Sequence, residues 1–198
     1  MIEFPSLRFS AGDMMNKKAQ GIHIVAILGS VRPDNNTSKV LALVVDEIKK
    51  HPDVTLEIID PNELDLPLPG KDEKSSAERL KKTVSSASGL ILSTPEYNGS
   101  YSSVIKLIIE HLGEPSALLG KPVVLLGVAS GSIGAVKALE HLASVCLNEG
   151  AIVLPGVVSV ARVHKIFPAP GQCQDKGLEK LIRGLADTLL NYVRQQNH

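Results

Sequence analysis

The sequence predicts an α/β protein: a parallel sheet of five strands with helices on both faces. Three observations predict it. Strand-like and helix-like segments alternate from residue 22 to the end. Two of the strand segments are continuous apolar runs, as expected where a strand is covered on both faces. The segments after strands one, three and four are rich in Gly, Ser, Thr or Asn, and loops of that kind carry ligand sites in such sheets.

The elements follow in order. "IHIVAIL" (22–28) is the first strand. "TSKVLALVVDEIKK" (37–50) repeats Val40, Leu41, Val44, Val45 and Ile48 at helical spacing, with Asn36 or Thr37 as the expected cap. "VTLEIID" (54–60) is the second strand, and "PNELDLPLPGKDEK" (61–74) a Pro-rich loop. "SAERLKKTVSSAS" (76–88) places Ala77, Leu80, Val84 and Ala87 on one helical face. "GLILST" (89–94) is the third strand, "VIKLIIEHL" (104–112) a short apolar helix, and "PVVLLGVAS" (122–130) the fourth strand. "GAVKALEHLASVCLNEG" (134–150) is a helix closed by Gly150. "AIVLPGVVSV" (151–160) is a fifth strand broken at Pro155-Gly156. "GLEKLIRGLADTLLNYV" (177–193) carries an amphipathic stripe of Leu178, Leu181, Ile182, Leu185, Leu189 and Val193. The expected organisation is an N-terminal arm over residues 1–20 and a single domain over 21–198.

Composition narrows the function. Basic and acidic residues number 21 each, so the charge surplus of a non-specific nucleic-acid binder is missing. Three Phe, three Tyr and no Trp leave little material for base stacking. No nucleic-acid partner is expected. Apolar runs reach six to eight residues, well short of the ~20 that span a bilayer, so no membrane partner is expected either. The arm has no apolar h-region, so it is not read as a secretory leader. Cys146 and Cys173 form no CxxC pair and no metal-ligand cluster with the six His. Cys146 lies on the apolar side of a helix and reads as a buried free thiol. That usage fits a reducing compartment, and a cytoplasmic location is expected.

Three loops carry the chemistry. "GSVRPDNNTS" (29–38) joins a strand to a helix N-terminus, where unbonded N–H groups and the helix dipole favour an anion. Ser30, Thr37 and Ser38 offer hydroxyls, Asn36 an amide and Arg32 a guanidinium. It is neither GxxxxGK[ST] nor GxGxxG, which disfavours an ATPase and a Rossmann dehydrogenase. The plainer reading is a capped surface turn.

"STPEYNGSYSSVIK" (93–106) places Pro95, Glu96, Tyr97, Asn98 and Gly99 between a strand and a helix. Its backbone groups suit the edge of a planar heterocycle, and Tyr97 offers a flat face with a polar tip. Glu96 is a candidate ligand. The plainer reading is a turn with Ser100 or Ser102 as helix cap.

"GVASGSIG" (127–134) resembles the glycine-rich turn of short-chain dehydrogenases. It follows the fourth strand, however, and no Tyr has a Lys four residues later. Close packing through Gly131 and Gly134 is the plainer reading, and a third wall of the same crevice is compatible with it. His111 and His141 lie near or within apolar helices and read as structural. No GxSxG, CxxxxxR or DxD motif supports a hydrolase or phosphatase.

The order of "GSVRPDNNTS", "LDLPLP" and "PEYNGS" after the first three strands resembles the NADPH-dependent FMN reductase family. This flavodoxin-like family includes quinone, azo-dye and chromate reductases. The resemblance covers about residues 22 to 190. It implies a flavodoxin-like, doubly wound five-stranded sheet of order 2-1-3-4-5 with FMN at its carboxyl edge. It implies that Ser30, Arg32, Asn36, Thr37 and Ser38 bind the FMN phosphate. Pro95, Glu96, Tyr97, Asn98 and Gly99 would run along the isoalloxazine, largely through backbone atoms, and Ser130 and Gly131 would flank the ring or ribityl chain.

No catalytic side chain and no metal ligand is implied. The activity implied is ping-pong hydride transfer from NADPH or NADH, through FMN, to a small-molecule acceptor such as a flavin or quinone. A homodimer or homotetramer is implied too. One departure bears on the interface: the family often continues this helix as "LKNAIDW", whereas here "IKLIIEHL" lacks the Trp. A flavodoxin-type electron carrier and a flavin-binding regulatory protein are the competing expectations. The neutral charge and the lone Tyr97 and Tyr101 near the ring speak against the carrier.

Overall fold

The computed structural model describes residues 21–71, 75–170 and 172–196. The expected N-terminal arm lies outside the described residues. The elements are β1 (Ile22–Leu28), α1 (Asn36–Ile48), β2 (Val54–Ile59), a 3₁₀ turn (Pro61–Glu63), α2 (Ser75–Ser86), β3 (Gly89–Tyr97) and β4 (Ser100–Tyr101). They continue as α3 (Ser103–Glu110), β5 (Pro122–Val128), α4 (Val136–Asn148), β6 (Ile152–Val153), β7 (Val158–Val160), α5 (Val163–Ile166) and α6 (Lys176–Gln196).

The sheet runs β2-β1-β3-β5-β6, with β7 also on β5 and β4 on β3. Counting only the five long strand segments, this is the 2-1-3-4-5 order expected of a flavodoxin-like sheet. The four pairings among β2, β1, β3, β5 and β6 are parallel. Pro155-Gly156 divides the last strand into β6 and β7, as its residue types suggest.

Alternation along β1 sorts the core into two layers. Ile24, Ala26 and Leu28 pack with Val40, Val44 and Ile48 of α1 and Ile182, Leu185 and Leu189 of α6. Val25 and Ile27 pack with Leu80 and Val84 of α2, Ile105 and Ile108 of α3, and Leu142 and Cys146 of α4. The helices therefore cover both faces, because side chains on successive strand residues point to opposite sides. Burial pushes the Cys146 thiol up to about 12, so it stays protonated and unreactive at neutral pH.

Three sequence expectations need correction here. The cap of α1 is Asn35, one residue before Asn36 and two before Thr37; its side chain accepts the Ser38 N–H at 2.8 Å. β3 does not stop at Thr94 but runs through Pro95, Glu96 and Tyr97. Pro95 lies past Ser93, the last residue that β1 pairs, so on that side β3 is an edge strand and tolerates a residue without N–H. Asn98 and Gly99 then form a hairpin turn into β4, with φ of 52° and 73°, the left-handed pair of a tight two-residue hairpin. Third, close packing runs through Gly134 but not Gly131. A Cβ on Gly134 would lie 2.4 Å from Ser159 Oγ, whereas nothing stands within 4 Å of one on Gly131. The strand–helix approach beside it belongs to Gly127, where a Cβ would lie 2.7 Å from Ala135 Cβ.

A charged network fastens α1 to α6. Arg183 reaches Asp46 at 2.6 Å, Glu47 at 3.3 Å and Glu179 at 3.1 Å. The Arg183 guanidinium holds Asp46 below the usual carboxylate range, Lys50 does so for Glu47, and Lys176 for Glu179. A carboxylate depressed in the folded state contributes fully above its unfolded value of ~4, and the contribution is lost as pH falls below that. The urea midpoint should therefore stay level above pH ~5 and fall between pH ~5 and ~3. Arg183, Glu47 and Glu179 are half-buried and Asp46 is exposed, so water still reaches the pairs and the fall should be shallow, flatter still in high salt. A midpoint that rises on acidification contradicts this reading.

Candidate functional site

Parallel β1, β3 and β5 lie side by side, so the loops that follow them share the carboxyl edge of the sheet. The sequence changes direction across β1 and β3, the place where such sheets bind ligands. Side-chain bonds stitch the three loops together.

The first and second loops meet at Gly29. A Cβ there would stand 2.3 Å from the Ser93 carbonyl oxygen and 2.7 Å from Ile105 Cγ1. Only glycine lets β1 leave the sheet this close to β3 and α3. Ser102, 2 % exposed, locks the junction. Its hydroxyl donates to the Gly29 carbonyl at 2.7 Å and accepts the Ile105 N–H at 3.2 Å, which caps α3. Its own N–H donates to Thr94 Oγ1 at 3.1 Å. Across the mouth, the Arg32 guanidinium lies over the Tyr97 ring, 4.4 Å from its centroid.

The second and third loops meet at α4. This helix has no capping side chain of its own at Ala135. The Glu96 carboxylate instead accepts the Ala138 N–H at 3.1 Å, a negative group at the positive end of a helix. Ser100 Oγ shares a hydrogen bond with His141 Nδ1 at 3.0 Å. His111, at the end of α3, donates from Nε2 to the Pro67 carbonyl at 2.7 Å and ties the "LDLPLP" loop to the same side. Glu96→Ala should cost about 1–2 kcal/mol through loss of the α4 cap. Glu96→Gln, which keeps an acceptor oxygen, should cost less than half of that in urea titration. Equal losses in the two would contradict the capping role.

The candidate phosphate residues divide by what their polar atoms already do. Ser38 is committed to the cap: its hydroxyl donates to the Asn35 carbonyl at 2.7 Å. Ser30 Oγ accepts the Arg32 N–H at 3.4 Å, which leaves its own proton free. Thr37 is 2 % exposed and makes no side-chain bond among the described residues. Among these residues no fully buried side-chain oxygen lacks a partner, so the small exposed part of Thr37 includes its hydroxyl. Asn36 and Thr37 open α1, so helix geometry leaves their N–H groups without intrahelical acceptors. Free hydroxyls and N–H groups at a strand–loop–helix junction fit a phosphate monoester, and Arg32 stands beside them. In the third loop, Ser130 and Gly131 are exposed at the same edge. Sequence reading missed Gly29 and Asn35 as site-building residues. Ser102, offered there with Ser100 as a helix cap, is the cap of α3; its second bond, to the Gly29 carbonyl, was not foreseen.

The sheet order and this carboxyl edge define a flavodoxin-like α/β protein. The model of the NADPH-dependent FMN reductase family matches residues 22–165, and the chain belongs to that family. It is thus an FMN-dependent NAD(P)H oxidoreductase. It is 27 % identical over 183 residues to an NAD(P)H-dependent FMN reductase of Pseudomonas aeruginosa, covering 88 % of this chain and 96 % of that protein. It is 36 % identical over 124 residues to an FMN-dependent NADPH-azoreductase of Staphylococcus aureus, covering 59 % of this chain and 64 % of the relative. Among solved structures, a flavoenzyme NAD(P)H:(acceptor) oxidoreductase from Paracoccus denitrificans superposes with a TM-score of 0.75 at 22 % identity, covering 88 % of this chain and 98 % of that one.

Proposed function

We propose that this chain reduces small-molecule acceptors at the expense of NAD(P)H in two half-reactions, with FMN held by the three stitched loops. The observation that carries this reading is the group of free donors on the β1–α1 loop, with Arg32 bridging to the β3–β4 hairpin. When bound, FMN would supply the two-electron redox chemistry between nicotinamide and acceptor.

The chain supplies placement. Ser30, Thr37 and Arg32 hold the phosphate, with the N–H groups of Asn36 and Thr37; Ser38 supports them by fixing the turn. Pro95 to Gly99 present backbone along the ring, and Glu96 fixes that hairpin against α4. Ser130 and Gly131 close the far side without crowding it, since a Cβ on Gly131 meets nothing within 4 Å. No side chain need move a proton. The azoreductase relatives support azo compounds as acceptors. The half-exposed Leu107 on α3, which packs with neither core layer, favours a homodimer or homotetramer built on that helix.

Arg32→Ala tests the assignment. Loss of a charge-assisted phosphate contact, about 1.5–3 kcal/mol, should weaken FMN binding roughly 10- to 150-fold in a fluorescence titration. Riboflavin, which has no phosphate, should lose far less. Equal effects on FMN and riboflavin would place Arg32 elsewhere.

A further inference from the structure

We propose that Tyr97 is a positioning residue for the cofactor phosphate: its ring holds the Arg32 guanidinium in place without using any of the guanidinium's N–H donors. The proposal rests on the FMN reading above, in which Arg32 contacts the phosphate, and adds what places Arg32 there.

Arg32 is fixed at its backbone. Asn35 Nδ2 donates to the Arg32 carbonyl at 2.9 Å, and Arg32 N–H donates to Ser30 Oγ at 3.4 Å. Its side chain is exposed and makes no ion pair or hydrogen bond among the described residues. What supports it is the Tyr97 ring, with the guanidinium carbon 4.4 Å from the centroid. A long side chain with free rotamers loses entropy when a ligand orders it, so support in advance raises affinity.

The hairpin delivers the ring to the correct side. Successive strand residues point to opposite faces. Glu96 turns to the α4 side, where its carboxylate accepts the Ala138 N–H at 3.1 Å, and its pairing partner Tyr101 packs in the same layer. Tyr97, the last residue of β3, therefore turns to the α1 side, and Arg32 lies on the loop that leads into α1. Pairing with Ser100 and the left-handed turn at Asn98 and Gly99 fix the end of this strand, so the half-buried ring is placed independently of Arg32.

The kind of partner decides what Arg32 can still do. A carboxylate would occupy N–H groups and cancel the charge that recognises a phosphate. An aromatic face attracts the cation as a whole and takes none of its five N–H donors, so the fork stays open for phosphate oxygens. Asp34, the acid nearest in sequence, is exposed and makes no ion pair with Arg32 among the described residues. The Tyr97 hydroxyl has no part in the contact, so phenylalanine should serve as well as tyrosine.

The test is a double-variant cycle on the full chain, with FMN and riboflavin affinities read by flavin fluorescence. The variants are Tyr97→Leu, Tyr97→Phe, Arg32→Ala, and Tyr97→Leu combined with Arg32→Ala. Tyr97→Leu should weaken FMN binding about 3- to 10-fold and riboflavin binding less than about 2-fold. Tyr97→Phe should hold both within about 2-fold of the wild type. In the Arg32→Ala background, Tyr97→Leu should change FMN affinity less than about 2-fold, because the group it positions is gone. A hairpin that is merely weakened would lose affinity equally in both backgrounds and for both flavins, and that result overturns the positioning role. So does Tyr97→Leu binding FMN as the wild type does, or Tyr97→Phe losing as much as Tyr97→Leu. Arg32→Ala weakening FMN and riboflavin equally, or a wild-type chain that takes up no FMN, overturns the reading beneath it as well.

Discussion

Gly29→Ala should lower stability by about 3 kcal/mol and abolish tight FMN binding, although it adds a single methyl. The added carbon would sit 2.3 Å from the Ser93 carbonyl oxygen, a backbone atom that cannot swing aside as a side chain end does. The remaining contacts, Ile105 Cγ1 at 2.7 Å and Cδ1 at 3.1 Å, belong to a side chain only 1 % exposed. Relief requires β1 to part from β3 or α3 to lift, and overpacking of this kind costs ~1–3 kcal/mol or more. Both movements displace the loop that holds the phosphate, so stability and affinity should fall together. Gly131→Ala is the matched control, since its methyl meets nothing within 4 Å. Urea melts of the two variants should differ by several-fold in stability loss. Equal losses would mean that the Gly29 junction is not close-packed.

Ser102→Ala should cost about 2–4 kcal/mol. The cap on Ile105 N–H accounts for ~1 kcal/mol. The larger part comes from the Gly29 carbonyl, which loses its 2.7 Å partner inside the protein and costs ~1–3 kcal/mol unpaired. Ser103→Ala, one residue on and exposed, should stay within ~0.5 kcal/mol. FMN affinity should fall in Ser102→Ala as well, because one hydroxyl joins the phosphate loop to the helix beneath the hairpin. A variant that loses stability while binding FMN as before would separate the strap from the site.

The sheet was legible because its central strands carry their burial in the sequence. β1 and β5 are largely apolar runs, and the amphipathic stripes of α1 and α6 point at the layer between them, except that Leu181 of the α6 stripe is 64 % exposed. The hairpin was not legible. Proline reads as the end of a strand, yet β3 continues through Pro95 because β1 has already stopped at Leu28. Asn98-Gly99 reads equally as a turn before a helix or between strands, and only the pairing of Glu96 with Tyr101 decides. The site loops were legible as a set, since each follows a parallel strand. Their division of labour was not. Asn35, Asn36 and Thr37 all suit a cap, and which one takes it depends on where the helix begins. Glu96 offered a carboxylate in a site loop, and the partner that occupies it, Ala138 N–H, lies 42 residues away.

The measurement that bears most directly on the account is anaerobic titration of the FMN-loaded chain with NADPH and with NADH, followed at the visible flavin bands. One equivalent of bound FMN should bleach with NADPH or NADH and regain its colour on addition of a quinone. Bound FMN that neither nucleotide bleaches would contradict the reductase reading and favour an electron carrier or regulatory protein. A chain that stays colourless after incubation with FMN would contradict the cofactor site itself.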